Sequence, residues 1–429
     1  MSKVLKFGGS SLADASQFRK VAKLILADPA RRYVVLSAPG KGPGNPDKVT
    51  DLLYVGNLKK VKERFDGIIK ELGLDMSLDE DFEIISKNIA NGANSDYIAS
   101  RGEYLTAKVM AEFIGYTFVD AADIIVFKAN KTCDFTKTNS AISRKLKKIE
   151  KAVIPGFYGK DGEGNIVTFT RGGSDVTGAL VAKGIKADMY ENWTDVSGFL
   201  VADPRIVENP EVIETITYEE LRELAYMGAS VLHEDAFYPV RHEGIPIHIL
   251  NTNHPEDKGT MIVESTVKKS PYTITGIAGK KGFCSINIDK PMMNSEIGFC
   301  MKVLKVFADN NISIEHMPSG IDTMSVFVHQ SEFESHEQQV IASIHRAVAP
   351  DSVVMDSGIS LIAIVGRGMK STQGTAGRIC SALAHAGVNI KMIDQGSSEL
   401  NIIIGVQDRD FETAVKAIYD IYVSSEISK

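Results

Sequence analysis

The sequence predicts an α/β protein in which an open, mostly parallel sheet sandwiched by helices is followed by two small α+β modules. Through the first half of the chain, short β-rich runs alternate with amphipathic helical patterns, as in parallel or mixed sheets. Near residues 254–270 that pattern is interrupted, and beyond it one segment is repeated at a constant spacing. With 429 residues the chain is also too long for a single core.

The predicted strands are short β-rich runs between turn residues. In chain order they are Val4–Phe7, Tyr33–Ser37, Thr117–Asp120, Ile124–Phe127, Ala152–Pro155, Ile166–Thr170, Met189–Asp195 and Pro246–Leu250. Helical spacing is clearest between Val61 and Leu72, where apolar residues recur at i, i+4, i+7, i+8 and i+11. Strands that alternate with helices in this way predict parallel pairing.

The C-terminal part of the chain contains an internal repeat. The segment Ala308–Gly320 (ADNNISIEHMPSG) matches Ala384–Gly396 (AHAGVNIKMIDQG) at an offset of 76 positions. A helix-spaced apolar face precedes each copy, and an alternating strand follows it, Met324–Val328 in one and Leu400–Ile404 in the other. The repeat therefore predicts two β-α-β-β modules. We expect a first domain over residues 1–265 and a second over residues 266–429.

Composition narrows the class of protein. Hydrophobic residues make up 44% and charged residues 24%, and the formal net charge is −7, which argues against a nucleic acid or an anionic membrane as the main partner. The four cysteines show no CxxC spacing, and the nine histidines show no HExxH or HxH pairing. We therefore expect reduced thiols, no metal site built from these residues, and a cytoplasmic protein, since no signal-peptide pattern opens the sequence.

Two glycine-rich segments carry the strongest chemical signal. KFGGSS (Lys6–Ser11) follows the first predicted strand, and RGGSD (Arg171–Asp175) follows another. Paired glycines expose backbone N–H groups to a bulky anion, and Lys6 and Arg171 supply positive charge. Asp175 can orient a cation. Together they predict a phosphoryl-transfer site assembled from distant parts of the chain.

Each of these segments also has a simpler interpretation. Lys6 with its glycines is equally compatible with a tight strand-to-helix turn that exposes a lysine. Neither a Walker A sequence nor an intact GxGxxG occurs in the chain, which weakens the case for those nucleotide-binding motifs. Glu103, in RGE, either complements a helix dipole or receives a substrate ammonium group. The segments TDVSG and ADPR, with Asp195 and Arg205, fit either a nucleotide site or two ordinary turns.

Taken in order, KFGGSS, RGE, RGGSD, TDVSG, ADPR, GASVLH and the duplicated module resemble the aspartokinase family. The resemblance covers essentially the whole chain. It implies an amino acid kinase fold followed by tandem ferredoxin-like ACT modules. It also implies an aspartate kinase that uses ATP with Mg²⁺ to phosphorylate the β-carboxylate of L-aspartate, yielding 4-phospho-L-aspartate. That reaction is the first step towards lysine, threonine and methionine.

The resemblance further assigns roles to individual positions. It implies that Lys6 and Asp175 are catalytic, and that the residues binding the amino acid substrate are Thr50, Glu103, Arg171 and Ser174. The implied nucleotide contacts are Lys6, Gly8, Gly9, Ser10, Thr194, Asp195, Arg205, Ser230 and Val231. Ser230 departs from the family, which usually has a lysine at this position.

The tandem modules imply feedback control by lysine, with threonine as a further candidate, and a homo-oligomer, either a dimer or a tetramer. The implied effector positions are Met293, Gly298, Ser313, Ile314 and Glu315. Glu315 is also compatible with a plain strand-end charge. Two other functions stay open from the sequence: a non-catalytic amino-acid sensor, and another acyl-phosphate-forming kinase such as glutamate 5-kinase.

Overall fold

The computed structural model describes residues 1–170, 172–229, 238–266 and 273–426. These residues form two compact units. The first unit holds residues 1–199 (apart from 171), 212–218 and 238–266, and the second holds residues 200–211, 219–229 and 273–426. Each unit is described separately below. The predicted division at 265/266 stays a prediction.

The first unit is built on an eight-stranded sheet with a small hairpin beside it. Its strands are β1 (Lys3–Phe7), β2 (Arg31–Leu36), β3 (Thr117–Phe118), β4 (Ala152–Pro155), β5 (Tyr158–Lys160), β6 (Ile166–Thr168), β7 (Met189–Thr194), β8 (Thr215–Thr217), β9 (Ile247–Asn251) and β10 (Thr260–Val263). The order in the large sheet is β3-β4-β2-β1-β7-β9-β10-β8, and only the β9–β10 pair is antiparallel. The mostly parallel sheet is therefore confirmed.

Helices cover this sheet. They are α1 (Ala15–Leu26), α2 (Val49–Tyr54), α3 (Leu58–Leu72), α4 (Asp79–Ala90), α5 (Ser95–Ile114), α6 (Phe135–Leu146), α7 (Gly173–Ile185) and α9 (Tyr238–Arg241). A further helix, α8 (Tyr218–Tyr226), lies between α7 and α9 in the chain. The apolar residues whose spacing predicted α3 form its buried face, since Val61, Phe65 and Ile68 all lie in the core. Tyr218 belongs to the first unit, whereas the rest of α8 belongs to the second.

One strand prediction was wrong. Residues 124–127 form no strand, although Val126 and Phe127 make isolated bridges to Lys160 and Cys133. The segment instead leaves a short 3-10 turn and packs under the β5–β6 hairpin, where Ile125 is fully buried. Its apolar run thus reflects burial on all sides, a pattern that does not distinguish a strand from a buried connection. The other predicted strands are confirmed, with shifts of one or two residues at their ends.

The second unit contains both copies of the repeat. The first copy comprises β11 (Gly276–Asp289), α10 (Phe299–Asp309), β12 (Ile314–His316), β13 (Thr323–His329), α11 (Gln330–Phe333) and α12 (Glu337–Val348). The second comprises β14 (Ser352–Val365), α13 (Thr375–His385), β15 (Met392–Asp394), β16 (Asn401–Gln407) and α14 (Phe411–Glu426). The predicted β-α-β-β order is confirmed in each copy.

The two copies share one antiparallel sheet of order β12-β13-β11-β14-β16-β15. The strands β11 and β14 are each 14 residues long and run through both modules. Phe283–Asp289 pairs with β13 and with the start of β14, whereas Gly276–Lys280 pairs with the end of β14. The register shifts between Lys280 and Phe283, where Gly282 takes φ +91°, a bulge that bends the strand between the modules.

The part of α8 that belongs to the second unit contacts the repeats through one face. Glu220 is fully buried and accepts hydrogen bonds from Thr275 Oγ1 at 2.7 Å and Arg367 Nη1 at 2.5 Å. Asn401 donates to the Glu223 carboxylate at 2.6 Å. Tyr226 donates to Glu315 at 2.6 Å. Among the described helices, none offers an apolar run long enough to traverse a lipid bilayer.

Candidate active site

The first unit has a topological switch point between β1 and β7. From β1 the chain crosses to β2 and β4 on one side, and it returns through α7 to β7 on the other side. Loops at the carboxyl ends of neighbouring parallel strands meet at such a point, and this crevice is the usual ligand site of open α/β sheets. Here the loops that follow β1, β2, β4 and β7 contain Gly8–Ser10, Ser37–Gly40, Gly156 and Thr194–Asp195.

Lys6 and Asp175 meet at this switch point. Lys6 Nζ lies 2.7 Å from Asp175 Oδ1, and their side chains are 10% and 15% exposed. Lys6 is the penultimate residue of β1, and Asp175 lies in the first turn of α7. The same Asp175 oxygen accepts a hydrogen bond from Asn192 Nδ2 at 2.8 Å. A lysine held beside a glycine loop by a carboxylate can present its remaining N–H donors to an anion.

The loops after β1 and β2 approach so closely that glycine is required. A Cβ atom on Gly9 would lie 2.7 Å from Ala38 O, and one on Gly40 would lie 2.6 Å from the Gly9 carbonyl carbon. Gly40 N donates to Gly9 O at 2.7 Å, and Gly8 N donates to Trp193 O at 3.1 Å. The paired glycines thus allow backbone-to-backbone contact beside Lys6.

The start of α7 packs against the loop after β4 in the same way. A Cβ atom on Gly156 would lie 2.6 Å from Ser174 Oγ, and one on Gly173 would lie 2.7 Å from the Phe157 ring. Ser174 is buried in the first turn of the helix. The first turn of a 13-residue helix carries free N–H groups and the positive end of its dipole. Arg171 lies outside the described residues.

Glu103 is a buried carboxyl group on α5, one residue after Gly102, which packs against Ala38 and Val49. Its Oε2 has no hydrogen-bond partner. Burial raises the pKa of Glu103 to about 8, although the backbone N–H groups of Ala38 and Glu103 act in the opposite direction. Ala38 also borders Gly9, so Glu103 lies behind the same loop that faces Lys6. An unsatisfied buried carboxyl group is suited to receive a substrate cation.

Thr50 is half-buried in the first turn of α2. That helix packs on α5 next to Glu103, because the missing side chain of Gly102 leaves room for Val49 and Leu53. The loop after β2 is tied down further by Arg64 of α3, which is buried and donates to the carbonyl oxygens of Gly40, Ala13 and Asp47. Thr50 thus belongs to a helix that packs on α5, the helix that carries Glu103.

Of the predicted nucleotide contacts, Thr194 and Asp195 lie at the end of β7, where Thr194 Oγ1 and Asp195 Oδ1 are 3.2 Å apart. Asn251 of β9 donates to Asp195 O at 3.4 Å. Arg205 belongs to the second unit, where its exposed guanidinium is paired with Asp203 at 2.6 Å. Ser230 and Val231 lie outside the described residues.

The predicted effector positions surround the start of α10 and β12 in the second unit. Met293 is buried in a 3-10 turn, and Gly298 (φ +81°) is the N-cap of α10. Ser313 N donates to Glu332 at 3.4 Å, and Ile314 and Glu315 begin β12.

The Glu315 side chain is only 6% exposed, with His329 Nε2 lying 3.7 Å from one oxygen and the Tyr226 hydroxyl bound to the other. Partial burial and that hydrogen bond raise the pKa of Tyr226 to about 12.

Sequence reasoning missed Asn192, Arg64 and Tyr226. Asn192 lies within a predicted strand, and nothing local distinguishes it from an exposed strand amide. Arg64 directly precedes Phe65 of the apolar face of α3, and this position could have been used to predict a buried arginine. Within the described residues, no group of three or more His, Cys, Asp or Glu side chains is placed to hold a metal ion.

The profile of the amino acid kinase family matches residues 1–251, and that of the ACT domain matches residues 362–422. Aspartokinase 3 of Bacillus subtilis is 38% identical over 444 residues, which cover 97% of this chain and 98% of that relative. The chain therefore belongs to the amino acid kinase family, and within that family to the aspartokinases.

Solved structures agree with this placement. The crystal structure of the aspartate kinase of Clostridium acetobutylicum, described as an allosteric enzyme, superposes with a TM-score of 0.88 at 48% identity, over 98% of this chain and 99% of that one. E. coli aspartokinase III in complex with aspartate and ADP gives a TM-score of 0.73 at 22% identity, over the full length of both chains, so it shares the fold.

Proposed function

We propose that this aspartokinase transfers the γ-phosphoryl group of ATP to the β-carboxylate of L-aspartate, which yields 4-phospho-L-aspartate and ADP. The observation that carries the proposal is the contact of 2.7 Å between Lys6 and Asp175 at the switch point, beside two interlocked glycine loops. The nucleophile is a carboxylate that is already ionised at neutral pH, so the site needs no general base. Its task is to bring two anions together and to stabilise the charge on the transferring group.

In this proposal Lys6 donates hydrogen bonds to the transferring phosphoryl oxygens, and Asp175 holds the ammonium group in position. The backbone N–H groups of Gly9 and Ser10 line the same anion site, and Gly8, whose N–H is bound to Trp193 O, lets the backbone pass close to Lys6. Mg²⁺ bound together with the nucleotide would supply neutralising charge at its phosphates. The Asp175 carboxylate already contacts Lys6 and accepts a hydrogen bond from Asn192. Its role in this proposal is therefore to position Lys6 and not to ligate a metal ion.

The amino acid substrate binds on the other side of the Ala38 loop. Glu103 receives its ammonium group, Arg171 its α-carboxylate, and Thr50 and Ser174 complete the contacts. The nucleotide base and ribose lie along Thr194 and Asp195, and the nucleotide contacts that the resemblance implies for Arg205, Ser230 and Val231 stay predictions. Support for this division comes from the burial of Glu103 and from the packing of α2, which carries Thr50, on the helix that carries Glu103.

A substrate panel tests the proposed reaction. We expect ADP release that depends on L-aspartate and is at least about 100-fold slower in kcat/KM with L-glutamate or N-acetyl-L-glutamate. The reason is that one extra methylene, or a blocked amine, misplaces the reacting carboxylate or leaves Glu103 unpaired. A coupled ADP assay measures all three. Preference for L-glutamate would instead support a glutamate 5-kinase, and binding of amino acids without ADP release would support a sensor.

For the second unit we propose feedback inhibition by an end-product amino acid, with lysine as the effector, in a homo-oligomer of two or four chains. The effector would bind at Met293, Gly298, Ser313, Ile314 and Glu315, and its ammonium group would reach Glu315. The buried position of that carboxylate supports the proposal. The functional division into residues 1–265 and 266–429 and the cytoplasmic location are parts of the same proposal.

Because Tyr226 donates a hydrogen bond to Glu315, two substitutions test the effector site: one should strengthen inhibition and the other should remove it. In this proposal the effector amine replaces the Tyr226 hydroxyl on Glu315, so Tyr226→Phe should lower the inhibition constant for lysine by about 10-fold, the equivalent of one hydrogen bond to a charged group. Glu315→Ala should abolish inhibition. Lysine and threonine are titrated against each variant, relative to its own uninhibited rate. If both variants respond to lysine like the wild type, the effector does not bind at Glu315.

A further inference from the structure

The residue that lies beside Lys6 on the neighbouring strand is Asn192. In the parallel pairing of β1 with β7, Lys6 is the register partner of Asn192. Asn192 is 1% exposed, and its Nδ2 lies 2.8 Å from Asp175 Oδ1. Lys6 Nζ contacts the same oxygen at 2.7 Å. A single carboxylate oxygen therefore accepts from one charged donor and from one neutral donor.

The chemistry of the site dictates the orientation of the Asn192 amide. If the amide were flipped, its Oδ1 would lie against a carboxylate oxygen, and two acceptors would face each other inside the protein. In the observed orientation Nδ2 faces Asp175, while the buried Oδ1 has no partner. The hydrogen bond to the carboxylate therefore fixes which end of the amide faces Asp175.

The backbone of Asp175 is held separately from its carboxylate. The Tyr190 hydroxyl donates to Asp175 O at 3.1 Å, and Gly178 leaves the space that this ring fills on α7. These contacts position the helix turn but leave the carboxylate free to rotate. Lys6 and Asn192 both restrain that rotation. Asn192 can continue to do so when the donors of Lys6 turn towards a phosphoryl group.

We propose that Asn192 is a positioning residue for phosphoryl transfer: it holds Asp175 in place while Lys6 shifts its hydrogen bonds to the transferring group. The inference rests on the proposed function, because it assumes that Lys6 and Asp175 serve the reaction. In this proposal Asn192 acts through Asp175 and not through contact with a substrate. Loss of Asn192 should therefore destabilise the transition state, which lowers kcat and leaves KM almost unchanged.

The test uses the full-length enzyme with ATP, Mg²⁺ and L-aspartate. Asn192→Leu keeps the volume but removes the donor, and we expect kcat to fall about 10-fold while both KM values stay within about twofold. Asn192→Asp should lower kcat further, because two carboxylates would then compete for Lys6. The near-isosteric Asp variant also tests the proposal if the Leu variant does not fold.

Thr138→Val is the control. It removes a hydrogen bond that Thr138 accepts from Val126 N, and it should leave kcat unchanged.

A double-mutant cycle with Asp175→Asn separates positioning from general structural damage. If Asn192 acts through Asp175, the kcat of the double variant Asp175→Asn with Asn192→Leu should lie less than about twofold below that of Asp175→Asn alone. Multiplied effects of the two changes would overturn the inference, as would a wild-type kcat for Asn192→Leu. Full turnover in both Lys6→Ala and Asp175→Asn would instead overturn the proposed function itself, so the two failures are distinguishable.

Discussion

Lys6→Ala is expected to lower kcat by about 100-fold or more, the loss that follows removal of one preorganised donor to a developing charge. Lys6 is positioned by Asp175 at 2.7 Å and lies next to Gly8, whose Cβ, if present, would be 3.6 Å from Lys6 Nζ. Its hydrogen bonds strengthen as charge spreads over the transferring oxygens, so the main effect falls on kcat. Steady-state kinetics at saturating ATP and L-aspartate measures it.

Two matched variants sharpen this prediction. Lys6→Met keeps the length of the side chain and removes the charge, so it should be as inactive as Lys6→Ala. Lys6→Arg keeps the charge but changes the donor geometry beside Asp175, and it should recover only part of the rate. The midpoint of thermal unfolding for each variant shows whether the fold is retained. A Lys6→Met enzyme with near wild-type turnover would rule out the proposed role of Lys6.

Glu103→Gln is expected to raise the KM for L-aspartate by about 100-fold at pH 8.5, because an ion pair with the substrate ammonium group inside the protein is replaced by a neutral contact. The wild-type KM should also depend on pH. Burial raises the pKa of Glu103 to about 8, so at pH 7 most of the free enzyme carries a neutral carboxyl group. Substrate binding must then release a proton.

The sign of this pH dependence follows from linkage. Below pH 8, each unit of increase in pH should lower the wild-type KM for L-aspartate by up to about 10-fold, and above pH 8 the KM should level off. In Glu103→Gln this slope should disappear, because glutamine does not titrate. KM values measured between pH 6.5 and 8.5 decide the matter, and an equal slope in both enzymes would contradict the assignment.

Stability provides an independent check on Glu103. Its pKa in the folded protein lies above the ordinary value of 4.5, so its contribution to folding is complete below pH 4.5 and is lost as the pH rises through 8. Glu103→Gln should therefore become more stable relative to the wild type between pH 6 and pH 9. The difference between the two midpoints of thermal unfolding measures this. A constant difference would show that the carboxyl group is already ionised at pH 6.

The sequence carried much of the candidate site because its signals are local. Lys6 with its glycines directly follows a strand pattern, and RGGSD directly precedes a helix, so each could be placed at a strand end without knowledge of the tertiary structure. Glu103 was singled out by its motif. Its burial and the resulting rise of its pKa were not predictable, because burial depends on tertiary packing: the neighbouring Gly102 packs against Ala38 and Val49, which are far from it in the chain.

The sequence by itself determined the strand–glycine–helix order of the first unit and the duplicated module of the second, since periods of two and 3.6 residues and a 76-residue offset are properties of the chain alone. Tertiary structure decided that Asn192 shares Asp175 with Lys6, and that the two modules share β11 and β14 in one sheet. It also decided that the Tyr226 hydroxyl donates a hydrogen bond to Glu315. These features depend on strand register and on contacts between side chains far apart in the chain, and no local pattern encodes such contacts.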